Sequence, residues 1–206
     1  LLLLLCFLVY PVLVQQFIKK NQSSSGYRYW RIEFNKIRST ASSAGYIVQF
    51  EEWKFYQDTN LGTYISNSGV SYSYSNLSYV NPSSGVQDAG GPALGFDNNI
   101  TTTKFVMYLG TATSGQTYNS SQLSALTDGT GNLTPAGSVT LDYGTKKIIN
   151  SYEWWTGDDS TPRDPISWKI LASNDNVTFT TQHTITNNGT TTGRKTNVGT
   201  FNFTMV

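Results

Sequence analysis

The sequence predicts an all-β domain, two antiparallel sheets packed as a jelly-roll β-sandwich, with one apolar helix in front of it. Three observations predict this. Beyond residue 20 the apolar side chains recur with the two-residue period of half-buried strands, and no long stretch carries the 3.6-residue period of a helix. The runs are separated by clusters of Gly, Ser, Thr, Asn and Asp, which supply turn conformations and local side-chain hydrogen bonds. Five Trp, thirteen Tyr and ten Phe provide the flat, bulky residues that fill pleated faces.

The elements follow in order. Residues 1–18, LLLLLCFLVYPVLVQQFI, carry no charge. As a helix they would reach about 27 Å, close to the roughly 30 Å hydrocarbon core of a bilayer. They are expected to be a membrane anchor within a segment 1–20, with Lys19 and Lys20 at the headgroups. Pro11 and the Gln15-Gln16 pair interrupt the apolar pattern, so a buried helix in a larger assembly and a signal-peptide core stand as alternatives. Residues 21–26 (NQSSSG) read as a linker, and residues 27–206 as the sandwich. Within it, residues 27–34 (YRYWRIEF) and 46–56 (YIVQFEEWKFY) are expected to form an antiparallel pair. Residues 57–92 read as surface loops holding one or two short strands. Further strands are expected at 103–108, 138–143, 147–154, 167–172, 178–185 and 197–205, about eight in all. The stretch 164–179 (DPISWKILASNDNVTF) is a hairpin: its alternating strand runs into Ser173-Asn-Asp-Asn176, four short polar residues that tolerate left-handed backbone, and Phe179 folds back.

Composition excludes several functions. Only 13% of residues are charged and the net charge is +1, so the chain lacks the basic footprint of a nucleic-acid binder. Its single cysteine, Cys6, rules out an internal disulfide framework and cysteine-based metal sites. The one histidine, His183, lies in an expected strand with no nucleophile arrangement near it in sequence, and is read as a structural or surface residue, with a ligand contact as the alternative. The pair Glu51-Glu52 falls in a strand, where neighbours face opposite ways, and Asp158-Asp159 falls in a turn; neither makes a hydrolytic carboxylate pair. Nothing in the chain points to catalysis.

The order of the pieces carries a resemblance. YWRIEF, Glu52-Trp-Lys-Phe-Tyr56, Ala93-Leu-Gly-Phe-Asp97, Leu141-Asp-Tyr-Gly144, Asp164-Pro-Ile-Ser-Trp168 and Ser173-Asn-Asp-Asn176 with Phe179 follow one another as in the discoidin, or coagulation factor type C, family of galactose-binding-like domains. The likeness covers about residues 27–205. Asn176 and Asn98 stand where the family carries glycine, and Phe105 and Phe179 where it carries tryptophan. The family's final hairpin comes first here, which resembles the permuted form found in phage and large-virus surface proteins. The resemblance implies a galactose-binding-like fold and a binding module for sugars, lipid headgroups or proteins, working through loops at one end of the sandwich.

Candidate site residues follow from both sources. Asp97-Asn-Asn-Ile-Thr-Thr102 crowds carboxylate, amide and backbone oxygens into a tight turn, as a hard cation such as calcium requires; an Asx-turn without metal is the alternative. The resemblance implies one structural calcium here, with Asp97 and Thr102 as ligands and Glu52, similar to the family's strand acid, as a second carboxylate. For a glycan, loop aromatics offer stacking faces with a polar handle: Tyr72, Tyr74 and Tyr79 in SYSYSNLSY, then Trp155 and Arg163 beside the 156–162 turn. One of Trp154 and Trp155 is expected in the core, and Arg163 has a purely structural alternative in holding the turn. Eight Asn-x-Ser/Thr sequons occur, at 21, 76, 99, 119, 132, 176, 188 and 202, which permits glycosylation in a secretory setting.

Two functions are thus expected. One is a non-catalytic, membrane-anchored surface module that binds glycan. The other is a structural interaction protein, such as a minor capsid or cement subunit of a membrane-containing large virus, whose partners are neighbouring protein subunits. Either places the chain at a cell or virion surface or within a capsid.

Overall fold

The computed structural model of the chain describes residues 26–38, 47–78, 89–109, 132–189 and 191–206. The apolar segment 1–18, Lys19-Lys20, nearly all of the linker, and Tyr79 lie outside them. Among the described residues no helix is long and apolar enough to cross a membrane.

The described residues form an all-β sandwich. In chain order the strands are β1 (Tyr27–Ile37), β2 (Ile47–Phe50), β3 (Glu52–Tyr56), β4 (Ser71–Ser75), β5 (Leu77–Ser78), β6 (Ala89–Gly90), β7 (Lys104–Leu109), β8 (Asn132–Lys147), β9 (Ser151–Trp155), β10 (Pro165–Ser173), β11 (Thr180–Ile185) and β12 (Asn197–Asn202). Short 3-10 turns cover Pro92–Gly95 and Thr161–Arg163. One layer is a five-stranded antiparallel sheet in the order β11-β10-β1-β8-β4. The facing layer has two parts, β12-β9-β3 and β2-β7-β5, with β6 parallel to β7. Glu51 joins the parts: it alone separates β2 from β3, and its N–H still donates to the Trp155 carbonyl at 3.0 Å.

Alternation on β1 buries Trp30, Ile32 and Phe34 completely. These side chains meet the facing layer, with Phe34 5.9 Å from Phe50 and 6.4 Å from Trp53 between ring centroids. Trp53 lies flat against Tyr152 and Trp154, at 5.3 and 5.6 Å, and receives the edge of Trp168 at 5.6 Å. Offset and edge-on pairs of this kind add to the area that they bury. The core also absorbs polar groups in pairs, since Trp168 Nε1 donates to the Tyr152 hydroxyl at 2.8 Å, which lies 3.1 Å from His183 Nδ1. His183 stacks on Phe203 at 5.4 Å, so it has a structural place.

The expected pairing of 27–34 with 46–56 is not formed. β1 lies between β8 and β10, whereas β2 pairs with β7 and β3 with β9. The two aromatic runs meet face to face across the core, because burying both apolar faces against each other removes more surface from water than aligning their edges. Residues 92–95 form a 3-10 turn, and two further expectations change: the 147–154 run breaks at 148–150 between β8 and β9, and β4, β5 and β6 put three short strands into 57–92.

The 164–179 hairpin forms as read. Trp168 pairs with Ile185 and Ala172 with Thr180. Asn176 takes the left-handed conformation at φ 59°, and the Arg31 guanidinium covers the Phe179 ring at 3.7 Å.

Candidate functional site

The site begins at a glycine. A Cβ on Gly95 would lie 2.6 Å from both Phe105 Cβ and Phe50 Cε2, so only glycine lets the 92–95 turn settle this closely onto the facing layer. The next residue, Phe96, is buried and packs its ring against Phe50 at 5.9 Å. The chain then turns outward through Asp97 and Asn98, the latter at φ 65°. Asp97 Oδ1 accepts the Asn99 N–H at 2.9 Å, and Asn99 Oδ1 in turn accepts from the N–H groups of Thr101 and Thr102 at 2.9 and 3.1 Å. Two successive Asx-type bonds hold this loop.

Beneath the loop stands Glu52. It is completely buried, its Oε2 accepts the Asn99 N–H at 3.2 Å, and its Oε1 has no hydrogen-bond partner. Burial first, and then the neighbouring Asp97 carboxylate, push Glu52 up to about 8. Two acids therefore share one place, with Glu52 held protonated at neutral pH and its Oε1 buried without a partner. Among the described residues no three acidic, His or Cys side chains gather around one point. A calcium ion would complete its shell from backbone and amide oxygens beside Glu52 and Asp97. The donors fit such an ion: all are oxygens, two are carboxylates, and one is orphaned. Thr102 does not join them: its Oγ1 accepts from Asn99 Nδ2 at 2.6 Å, and it lines a separate pocket beside Glu51 and Lys195.

Above Asp97 opens a cavity of about 380 Å³, lined by Tyr64, Ser66, Asn67, Tyr72, Phe96 and Asp97 among others. Tyr72 comes from β4, where it stands opposite Leu141 in register, and its ring stacks on Phe96 at 5.7 Å. Tyr64 packs against Tyr56 at 5.8 Å. Burial, and after it the Glu52 charge, raises the phenols of both Tyr64 and Tyr72 above the usual tyrosine range, so they stay protonated donors at any ordinary pH. Asn67 is held in place: its Nδ2 donates to the Phe96 carbonyl at 3.1 Å and its Oδ1 accepts from Tyr143 at 2.8 Å. The result is a concavity lined by tyrosines, a hydroxyl, an amide and a carboxylate.

The structure thus brings together Tyr72, Asp97 and, below them, Glu52. It separates the others. Tyr74 shares the face of β4 with Tyr72 but is 48% exposed and does not line the cavity. Both tyrosines are strand residues rather than loop residues. Trp155 is the register partner of Glu52 and so shares its face of the sheet, yet the Lys54 ammonium covers its ring at 4.9 Å. Trp154 is the core member of that pair. Arg163 donates to Gln49 Oε1 at 3.0 Å and lies 3.5 Å from Asp159, which ties down the turn. Asp164 is held instead by Arg194 and Arg38. Glu51 and Glu52 are both buried but enter different surroundings, Glu51 near Lys195 and Asp158 and Glu52 near Asp97. Sequence reasoning missed Tyr64, Asn67 and Phe96 as cavity residues. A tyrosine in the 57–70 loop was the single available signal, and one loop aromatic among thirteen tyrosines does not stand out.

No protein-family model, curated protein or solved structure matches the chain.

Proposed function

We propose that the chain is a non-catalytic, discoidin-like jelly-roll module that recognises a glycan, is carried on a membrane by residues 1–18, and holds one calcium ion at Glu52 and Asp97. The observation that carries this is the cavity lined by Tyr64, Asn67, Tyr72 and Asp97, in which the Tyr72 ring is backed by the buried Phe96. Sugars present apolar C–H faces and polar hydroxyl edges, and ring faces bordered by hydrogen-bonding groups match both. At about 380 Å³ the cavity suits one or two sugar rings rather than a long chain.

A glycan array probed with the chain tests the reading. Binding that falls by about tenfold or more in Tyr72→Ala supports it, in line with the loss of an aromatic anchor. An array without any signal, or a signal that Tyr72→Ala leaves intact, overturns it; the first result favours the building-block role in a capsid. The calcium is tested separately. An ion that binds only the folded state stabilises it by mass action, so EDTA is expected to lower the melting temperature and added calcium to restore it. An unchanged midpoint removes the ion from the proposal.

A further inference from the structure

We infer that a second pocket, beside Glu51 and apart from the Tyr72 cavity, binds one ring of a neutral polyol such as a monosaccharide. The inference stands without the glycan reading of the first cavity, because different residues carry it. The pocket has a volume of about 240 Å³, room for one ring rather than a chain. Glu51 lines it from the break between β2 and β3, Thr102 and Lys104 from the approach to β7, Asp158 from the turn after β9, and Lys195 from the run into β12. Lys195 stands at φ 50°, a left-handed conformation that a lysine keeps only where its surroundings hold it. They do hold it: its N–H donates to the Gly157 carbonyl at 3.2 Å and its ammonium to the Thr101 carbonyl at 2.6 Å.

Glu51 points to a ligand. It is 1% exposed and lines the pocket, yet its Oε1 has no hydrogen-bond partner. A buried oxygen left so is unfavourable, and a donor seated in the pocket would relieve it. The groups around it differ in kind. The Lys195 ammonium uses one of its three donors on Thr101. The Lys104 ammonium is held by Asp158 and stands 3.5 Å from Asp159, while the Asp158 side chain is 41% exposed and has acceptor sites to spare. Thr102 Oγ1 accepts from Asn99 Nδ2 and keeps its own proton to donate. A simple anion would meet the Asp158 carboxylate, and a simple cation would meet two ammoniums. A hydroxyl both donates and accepts, so neighbouring hydroxyls on one ring satisfy acceptors and donors together, and they suit Glu51 whether it is charged or neutral. Among the described residues no aromatic ring lines this pocket, so hydroxyls rather than a sugar face are what it reads.

The test follows amide resonances of the full 206-residue chain, isotope-labelled and held in a detergent without a sugar headgroup. The probes are glucose, galactose, mannose, fucose and myo-inositol, with acetate and methylammonium beside them. At least one neutral polyol, at millimolar concentration, is expected to shift the signals of Thr102, Lys104 and Lys195 to saturation. Lys195→Asn removes the ammonium through a residue that tolerates left-handed backbone, and Glu51→Gln puts an amide of the same shape in place of the carboxyl. Each should weaken that polyol by about tenfold while melting as the wild type does without it; should Glu51→Gln fail to fold, Lys195→Asn decides. Polyols that leave these signals unmoved overturn the inference, as does a response to acetate or methylammonium alone, or binding that survives the substitutions. Shifts confined to Tyr72 and Asp97 overturn it and leave the glycan reading standing. Shifts at Thr102 and Lys195 with none at Tyr72 support it by itself.

Discussion

Asp175 shows how one side chain closes a hairpin. Its Oδ1 accepts the N–H groups of Val177 and Thr178, at 2.9 and 2.8 Å, and the Ser173 hydroxyl at 2.7 Å. The Val177 N–H first, and then the Ser173 hydroxyl, hold its carboxyl down to about 2. A group whose folded value lies below its unfolded value of about 3.9 stabilises the fold fully at higher pH, and that stabilisation is lost as pH falls through the folded value. Asp175→Asn is therefore expected to melt a few degrees below the wild type at neutral pH, with the gap narrowing as acid brings the wild type through its own titration. Melting curves across the acid range check this. A gap of constant width would mean that shape rather than charge is what the turn uses. Ser173-Asn-Asp-Asn176 was legible as a turn because the bonds that Ser173 and Asp175 make to close it are local; Asp97-Asn-Asn was legible through the local bonds of Asp97 and Asn99. The Glu52 carboxyl beneath Asp97 is a long-range contact, and it entered the sequence reading through family resemblance alone.

At the scale of elements, the close approach of the 92–95 turn to β2 and β7 fixes where Phe96 and Asp97 stand. Gly95→Ala places a methyl group 2.6 Å from Phe50 and Phe105 carbons, in an aromatic cluster where those two rings already stack at 4.4 Å. Overpacking of this kind costs about 1–3 kcal/mol. Urea unfolding should show a lower midpoint with an unchanged slope, and the binding proposed for the neighbouring cavity should weaken with it, since Phe96 backs Tyr72 there. An unaltered midpoint would mean that the turn floats free of the core. The strands themselves were partly legible. Period-two alternation showed which faces of β1, β3 and β10 are buried, but such a pattern says nothing about which strand lies at either edge. That is why the pattern alone suggests pairing β1 with β2 and β3, whereas it pairs with β8 and β10. Most of β8 is alternating only from Ser138 onward, and its earlier residues, NLTPAG, carry no period to read.

For the whole molecule, the decisive question is whether the sandwich stands without the apolar segment. Among the described residues the core cluster runs from Trp30 to Met205. The two ends of the domain also close on each other. The Tyr27 hydroxyl donates to the Val206 carbonyl at 2.6 Å, the Val206 N–H donates to Gln182 Oε1 at 3.0 Å, and Phe203 packs on Trp30 at 6.4 Å. Gly26, at φ 69°, seats the chain against the Lys147 carbonyl at the entry to β1. The described residues by themselves supply a core and its closing contacts, as a unit that folds alone requires. Residues 26–206 expressed by themselves are therefore expected to unfold cooperatively in urea, with a near-ultraviolet signal from the Trp53, Trp154 and Trp168 cluster that disappears in the same transition. In a flotation experiment with phosphatidylcholine vesicles, the 206-residue chain should rise with the lipid and residues 26–206 should remain below, because only the former carries an uncharged stretch long enough to bury in a bilayer. A truncated chain that unfolds without cooperativity would assign residues 1–18 to the protein's own packing. A full-length chain that ignores vesicles would assign them to a contact with another protein, as a capsid subunit requires.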